Sequence, residues 1–489
     1  MCFQRKSFML LFCLIIFSVH SQLQVNSNEG LTGRHPDSLW TVKHNWPGAS
    51  GLIVATNMTI WGFDRYILNS SYARIDYNTI KTNLRTGFEW DNDNFTTNLF
   101  THPVHGLLYH ELARANGFNF WQSIPFTAGG SLMWELFMEK QAPSINDFMT
   151  TTMGGVCLGE MFFRITDKFI DDRTTGFDRF KREALMFILS PTREFNRIIS
   201  GESWKHREFR GNQVEPVPIS LSASLGYRLI TGNFLRNQQV SNMFCADAGL
   251  YYGDPYDPEN EKPYDFFQLR VAANLFSQQP ALNRVSAIGM LFTRNIPLNR
   301  SKNQLAVGVF QHFNYYQSNA ELDNISLSTY KISEAASVGP GALFKGNLTK
   351  SITLSGSAHL SAILLGGNQT DHYRYDQRDY NMGSGFSSKV GVELQVGNKV
   401  RLSLNYEDYR IYSWIGNNPI ASIKLNTNVQ GDKGNASLSI GRLNFNYFIN
   451  KQLFLENEIT YFYLKSMYDY YPTVKQSVTE EKLSVGYVF

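Results

Sequence analysis

Between Trp90 and Glu160 the chain gathers the side chains from which a binding or catalytic site could be built. His102 and His105 are three residues apart, Glu135 and Glu139 are four apart, and Tyr109, Arg114, Asp147 and Glu160 complete the set. Histidine nitrogens and carboxylates on facing helices are the ligand set of metal centres in helix bundles. The Glu-x-x-His spacing of such centres is missing, however, and His110-Glu111 is followed by Arg114 instead of the second histidine of a zincin. The favoured reading is therefore a set of buried groups that satisfy one another by hydrogen bonding. No metal or cofactor is specified by these residues. Two carboxylates stacked one helical turn apart cannot both ionise cheaply, so a histidinium, Arg114 or a metal should lie between them. We expect Glu135, Glu139 and His102, with Asp147 and Glu160 as neighbours, to form one buried polar cluster.

Other motifs read as structural. Asp91-Asn92-Asp93-Asn94 starts like a calcium loop, but Phe95 and Thr96 follow and His102 stands at position twelve, so a turn or cap is expected. Gly155 and Gly159 suit close helix packing better than a phosphate cradle, since no lysine follows. Glu160 and Arg164 have the spacing of an i,i+4 pair. No G-x-S-x-G elbow occurs. Barrel enzymes that attack lipids resemble this chain in strand count, and Ser355, Ser357 and His359 share one polar strand face, although serines are common on such faces. An enzyme acting on lipid or polysaccharide, with a His/Glu site among the helices, is the rival class to a structural or ligand-handling protein.

The elements that must position these groups are helices first and strands afterwards. Gly51 to Leu68 reads as a buried helix and Ser70 to Leu84 as a weaker one. A helix capped at Thr101 or His102 enters through Pro103 and ends at Gly117. His102, His105 and Tyr109 share one of its faces. A second helix, about Ser131 to Lys140, stacks Glu135 on Glu139. A third starts at Ser144 with Asp147 three residues on. A fourth, Asp178 to Leu189, breaks at Pro191 and resumes to about Ile199.

From Val217 the apolar period becomes two. Val217, Ile219, Leu221, Ala223, Leu225, Tyr227 and Leu229 alternate with small or polar residues, and comparable runs recur to Leu483, Val485, Tyr487 and Phe489. About twelve such strands fit the remaining chain, which suits a transmembrane barrel with strands of ~9–11 residues. A secreted sandwich is the alternative; a continuous apolar face opposite one bearing Arg228, Arg270, Glu393, Arg401 and Glu407 argues for the barrel. The slip of apolar phase after Gly441 predicts a bulge. Gly253 to Pro263 and Gly366 to Met382 read as outer loops. The terminal phenylalanine resembles the signal read by the barrel assembly machinery.

Arg5 and Lys6 ahead of the apolar run Ser7 to Val19 mark a signal peptide over residues 1–21, and residues 22–50 read as an extended lead-in. Leu11 and Phe12 are too bulky to precede a lipidated Cys13. Cys157 and Cys245 are expected as buried thiols. Loss of Arg5 and Lys6 takes Lys+Arg from 45 to 43 against 42 Asp+Glu. That balance argues against a nucleic-acid partner.

WDNDNF with Asn98, HPVHG with Tyr109, Arg114 to Gly117, Gly130-Ser131 before Trp134-Glu135, Glu139, Pro143-Ser144 with Asn146-Asp147, and Gly154-Gly155 leading to Gly159-Glu160 and Arg164 carry a family resemblance. Ser190-Pro191, Arg193, Asn196-Arg197 and Gly201 fit it too; His105 is outside the pattern. Over Gly51 to Gly201 the chain resembles an uncharacterised envelope family of Bacteroidota, domain of unknown function 3943. The resemblance implies an outer-membrane setting and supplies no activity; Trp134, next to Glu135, stands among the binding candidates. The resulting expectation is an α+β protein: a helical, plug-like domain over 51–201, then an antiparallel outer-membrane β-barrel of about twelve strands over 217–489, in contact with outer-membrane lipid of a Gram-negative cell.

Overall fold

The computed structural model describes residues 41–489 apart from 92, 216, 233–240, 277–278, 299–302, 323–324, 374–377 and 421–428. The expected signal peptide, and the lead-in up to residue 40, lie outside the described residues. Two compact units divide the chain, one holding the helices and the other beginning at Val217.

In the helical unit, α1 spans Trp46–Tyr66, so helix begins inside the stretch expected to be extended. Pro47 suits the first turn and the Asn45 side chain accepts from Gly48 N–H at 3.0 Å. Nor is α1 buried throughout: Ala49, Ile53, Asn57 and Asp64 are covered, whereas Met58 and Phe63 are exposed. Helix α2 is Tyr77–Thr86 and α3 is His102–Ala115. Thr101 makes no side-chain cap, because a π-turn over Thr97–Thr101 leads straight into α3. Helix α4 runs Phe120–Phe137, starting well before Ser131 and holding Pro125 inside it. Its start was legible as a capping box, since Asn119 and Gln122 bond each other's backbone N–H groups. Ser144 caps α5, Ile145–Met149, through Asp147 N–H as expected. A π-turn, Thr150–Gly154, joins α5 to α6, Gly155–Asp167. Helices α7, Gly176–Leu189, and α8, Pro191–Ile199, break at Pro191, and a single 3-10 turn, Glu202–Trp204, follows.

The barrel unit is a closed antiparallel barrel in which each strand pairs with its sequence neighbours and β1 (Ile219–Gly232) pairs with β12 (Val474–Val488). Between them run β2 Ser241–Tyr252, β3 Phe267–Leu275, β4 Leu282–Leu298, β5 Asn303–Leu322, β6 Ile325–Asn347, β7 Ile352–Gln369, β8 Tyr380–Val396, β9 Val400–Ser413, β10 Gly434–Phe448 and β11 Leu453–Tyr468. The alternating apolar residues face outward: Leu225, Leu360, Val390, Leu404 and Leu483 are exposed, while Arg228, His359, Lys389 and Lys482 on the other face are buried. A sandwich is excluded by the closure.

No bulge occurs at Gly441, where β10 stays in unbroken register with β9 and β11. Leu438 and Ile440 point inward with Arg442 and Asn444, and Leu443 and Phe445 point outward. The phase slip marks instead the height at which the inner wall turns from polar to apolar. Ile230, Tyr330, Ile363, Ile411, Leu438, Ile440 and Phe462 form one buried apolar layer there. The Tyr330 and Phe462 rings stack with centroids 4.0 Å apart although β6 and β11 are not neighbours, so this layer bridges the lumen.

Next to it lies an ionic layer. Arg228 pairs with Glu480 at 3.3 Å, Lys482 with Asp247 and Glu456 at 3.2 Å, Arg442 with Glu407 at 3.4 Å, and Lys389 with Glu334 at 2.6 Å. Buried carboxylates and guanidinium groups survive only when paired this way. The two expected outer loops fall at opposite ends of the barrel, because one follows β2 and the other follows β7 in an up-and-down order. The two ends of Gly366 to Met382 are strand, since β7 runs to Gln369 and β8 starts at Tyr380. The β2–β3 link folds inward: Tyr264 N–H donates to the Met290 carbonyl at 2.6 Å, and Phe266 joins a buried cluster with Met290, Phe310 and Leu343.

Candidate functional site

The residues singled out by type and spacing separate into two buried clusters. The first is acidic. A short parallel bridge joins Glu89 to Ser144 and brings the Asp91 segment alongside the start of α5. Asp91 N–H donates to Asn146 Oδ1 at 3.0 Å, Asp93 N–H to Asp91 Oδ2 at 2.8 Å, and Thr97 N–H to Asn94 Oδ1 at 3.0 Å. These side chains therefore make turns and a cap. Glu135 Oε2 accepts the Ser144 N–H at 2.8 Å, which ties α4 to the start of α5. Glu139 lies beyond the end of α4, and not stacked on its face; the Trp134 indole N–H donates to its carboxylate. His102 Nε2 stands 3.5 Å from Asp147 Oδ1.

Burial is the main force on these carboxyls. It pushes Glu135 well above the ordinary carboxyl range, with Asp147 and Glu139 adding repulsion. Glu139 is pushed up to about 8 by burial, partly offset by His102. Burial, followed by Asp91, raises Asp147 as well. Beside them His105 is lowered to about 3, by burial first and His102 second. Its Nε2 is 2.8 Å from the Tyr109 hydroxyl, and its ring meets Trp134 edge-on with centroids 4.7 Å apart. Tyr109 donates in turn to Asn57 of α1, whose Nδ2 donates to the Gly130 carbonyl at 3.0 Å. The acidic cluster is thus several carboxyls held toward their protonated form, with His102 as the basic group among them.

Glu160 and Arg114 belong to a second cluster. Glu160 is fully buried between Arg114 Nε at 2.8 Å, Arg164 Nε at 2.9 Å and His110 Nε2 at 3.1 Å. Burial alone would raise its carboxyl, but Arg114, His110 and Arg164 outweigh burial and hold it at about 2. The single cluster expected from the sequence is therefore two, and Arg114 neutralises Glu160 instead of standing between Glu135 and Glu139. The glycines do what their spacing suggested: a methyl group on Gly106 would overlap the Thr151 carbonyl, and one on Gly155 would overlap Gly106. That close crossing of α3 and α6 seats His110 against Glu160.

Sequence reasoning passed over His110, Glu111, Asn57 and Asp167. His110-Glu111 was weighed only as a zincin fragment, and the interruption of an apolar helix by Asn57 was the available signal for a buried hydrogen bond. Arg193, noted only within the resemblance, is buried and pairs with Asp167 at 2.5 Å. Glu111 is buried as well and burial raises its carboxyl to about 8. Ser355, Ser357 and His359 do share the inward face of β7, but His359 packs edge-on against Phe310 and His312, and no hydrogen bond joins it to a serine among the described residues. Cys157 and Cys245 are free and buried. Among the described residues no group of three or more His, Cys, Asp or Glu is arranged to hold a metal ion.

Comparison with known proteins adds a family match over part of the helical unit. The profile of a domain of unknown function (DUF3943) matches residues 87–192. No curated protein sequence matches the chain. Among solved structures, the chain is similar to the COG4313 outer membrane channel from Pseudomonas putida F1, with 9% identity and a TM-score of 0.29 over 56% of this chain and 97% of that one. It is also similar to the NanC porin, at 11% identity and a TM-score of 0.26 over 53% of this chain and 98% of the porin. The KdgM porin gives 10% identity and a TM-score of 0.24 over 54% and 99% of the two chains.

Proposed function

We propose that this chain is an outer-membrane β-barrel protein with a structural or ligand-handling role at the envelope of a Gram-negative cell. The observation that carries the reading is the inverted distribution of side chains on a closed barrel: apolar residues outward on every side and paired charges inside. Such a surface is stable in lipid and costly in water, and closure leaves no strand edge to be satisfied there. The proposal includes export through a signal peptide over residues 1–21, a source in Bacteroidota inferred from the residue-level resemblance, and contact with outer-membrane lipid. A plug-like helical domain is a secondary part of it, since the barrel's own side chains already bridge the lumen. Of the two polar clusters, the one at Glu135, Glu139 and Asp147, with His102 beside Asp147, is the ligand-handling candidate; the Arg114–Glu160–Arg164 cluster is internally paired and structural.

The barrel assembly machinery is proposed as a partner on the strength of Phe489, whose N–H donates to the Leu221 carbonyl at 2.9 Å and whose ring packs on Tyr487. Fractionation tests the whole reading. The protein should be recovered with the outer membrane and should migrate differently on gels before and after boiling, because a closed barrel resists detergent until heated. Recovery as a soluble periplasmic protein would overturn it.

A further inference from the structure

Helices α7 and α8 leave a run of large apolar side chains on their outer surface. Leu185 and Met186 are buried and the Asp178–Lys181 pair at the start of α7 is exposed, but the charged residues Arg182, Arg193, Glu194 and Arg197 are also buried, while Phe180, Phe187, Phe195 and Ile199 are exposed. The buried charges are accommodated by pairing: Arg197, for example, reaches Asp172 and Glu183 at 3.2 Å each. Trp204 on the turn that follows is 76% exposed. A helix facing water carries its charges outward. Here, apart from the Asp178–Lys181 pair, ionic groups occupy the interior and aromatic rings the surface, as on the barrel strands. Between α7, α8 and the Trp204 turn opens a mainly apolar cavity of about 480 Å³, walled by Phe180, Phe187, Ile198 and Trp204, with Glu183, Glu194 and Lys205 also in its lining.

We propose that this face of α7, α8 and the Trp204 turn is a lipid-binding surface that lies in the headgroup and acyl-chain boundary of the bilayer spanned by the barrel. The inference rests on the outer-membrane reading above. Lipid is chosen as the occupant because the face repeats the charge-in, apolar-out distribution of the barrel's lipid-facing wall. In sequence the Trp204 turn lies shortly before Val217, where the barrel unit begins. Exposed Trp and Phe beside lysines that can extend their ammonium groups to phosphates are the composition of interfacial helices.

The test uses the full chain reconstituted in vesicles of phosphatidylcholine and phosphatidylglycerol. Single cysteines at Phe180→Cys, Phe187→Cys, Ile199→Cys and, on the outer wall of β7, Leu360→Cys carry a nitroxide label; Cys157 and Cys245 are buried, and mock-labelled parent protein supplies the background. Variants that keep heat-modifiable mobility are compared by collision with oxygen, which concentrates in lipid, and with a water-soluble nickel chelate. The expected result is a severalfold excess of oxygen over nickel collisions at the three helical positions, approaching that at Leu360→Cys. If the helical labels favour nickel while Leu360→Cys favours oxygen, the surface faces water and this inference fails alone. Protection from both reagents means that protein, such as a second copy, covers the face, and this also overturns it. If Leu360→Cys itself favours nickel, the outer-membrane reading fails, and the inference with it.

Discussion

Replacing Glu160 by glutamine should destabilise the helical unit by several kcal/mol while leaving the barrel assembled. The carboxylate is fully buried and bridges Arg114 at 2.8 Å and Arg164 at 2.9 Å. Its removal strands two guanidinium groups in a dry interior, and breaking a buried pair from one side costs about 3–5 kcal/mol. A second route gives a similar size. The carboxyl is held at about 2 against an ordinary 4.5, and such a displacement corresponds to about 3 kcal/mol at neutral pH. Because the folded-state value is the lower one, this stability is present above pH 4.5 and is lost as the pH falls toward 2. Urea unfolding followed by tryptophan fluorescence reads the helical unit, which holds Trp46, Trp61, Trp90, Trp121, Trp134 and Trp204. With a urea slope of roughly 2 kcal/mol per molar, the midpoint should drop by about 1.5–2.5 M. Asp178→Asn, which removes an exposed pair with Lys181, should change the midpoint little. A drop below about 0.5 M for Glu160→Gln, or an acid limb between pH 4.5 and 2 as steep in the variant as in the parent, would refute the reasoning.

Glu139→Gln should act in the opposite direction. The Glu139 carboxyl is raised to about 8, so its contribution is present below pH 4.5 and is lost as the pH rises toward 8; the variant should be more stable than the parent at pH 9, and equal losses of urea midpoint at pH 5 and pH 9 would contradict this. In planar bilayers the full-length protein should conduct poorly, and glycine at Ile411, Leu438 and Phe462 together should raise conductance by removing part of the layer that bridges the lumen; unchanged low conductance would assign the seal elsewhere. Deleting Phe489 should lower the amount of heat-modifiable protein in the outer membrane, and full assembly without it would remove Phe489 as a recognition element.

The strand half of the molecule was legible from sequence because alternation is a local property: each pair of residues reports which face is apolar, whatever the strand is paired with, although not by itself whether that face meets lipid or a second sheet. Val217 to Leu229 and Leu483 to Phe489 gave the alternating faces, and the charges opposite the apolar face argued that it points outward. Local signals also marked the Ser144 cap, the Pro191 break and the glycine face of α6. Periodicity alone could not say what fills the interior, since a change from Leu438 and Ile440 to Arg442 and Asn444 on one face looks like a shifted phase until the partner strands show that the register is continuous. The same limit applied to the polar cluster. Spacing could bring Glu135, Glu139, His102, Asp147 and Glu160 into one region, but charge partnership depends on distances of a few ångströms between chain segments far apart in sequence. Only the crossing of α3 and α6 at Gly106 and Gly155 decided that Arg114 and His110 would neutralise Glu160. The turn after α4 left Glu139 with the Trp134 indole beside carboxyls that burial keeps protonated, because transferring unpaired charges from water is costlier than holding the protons.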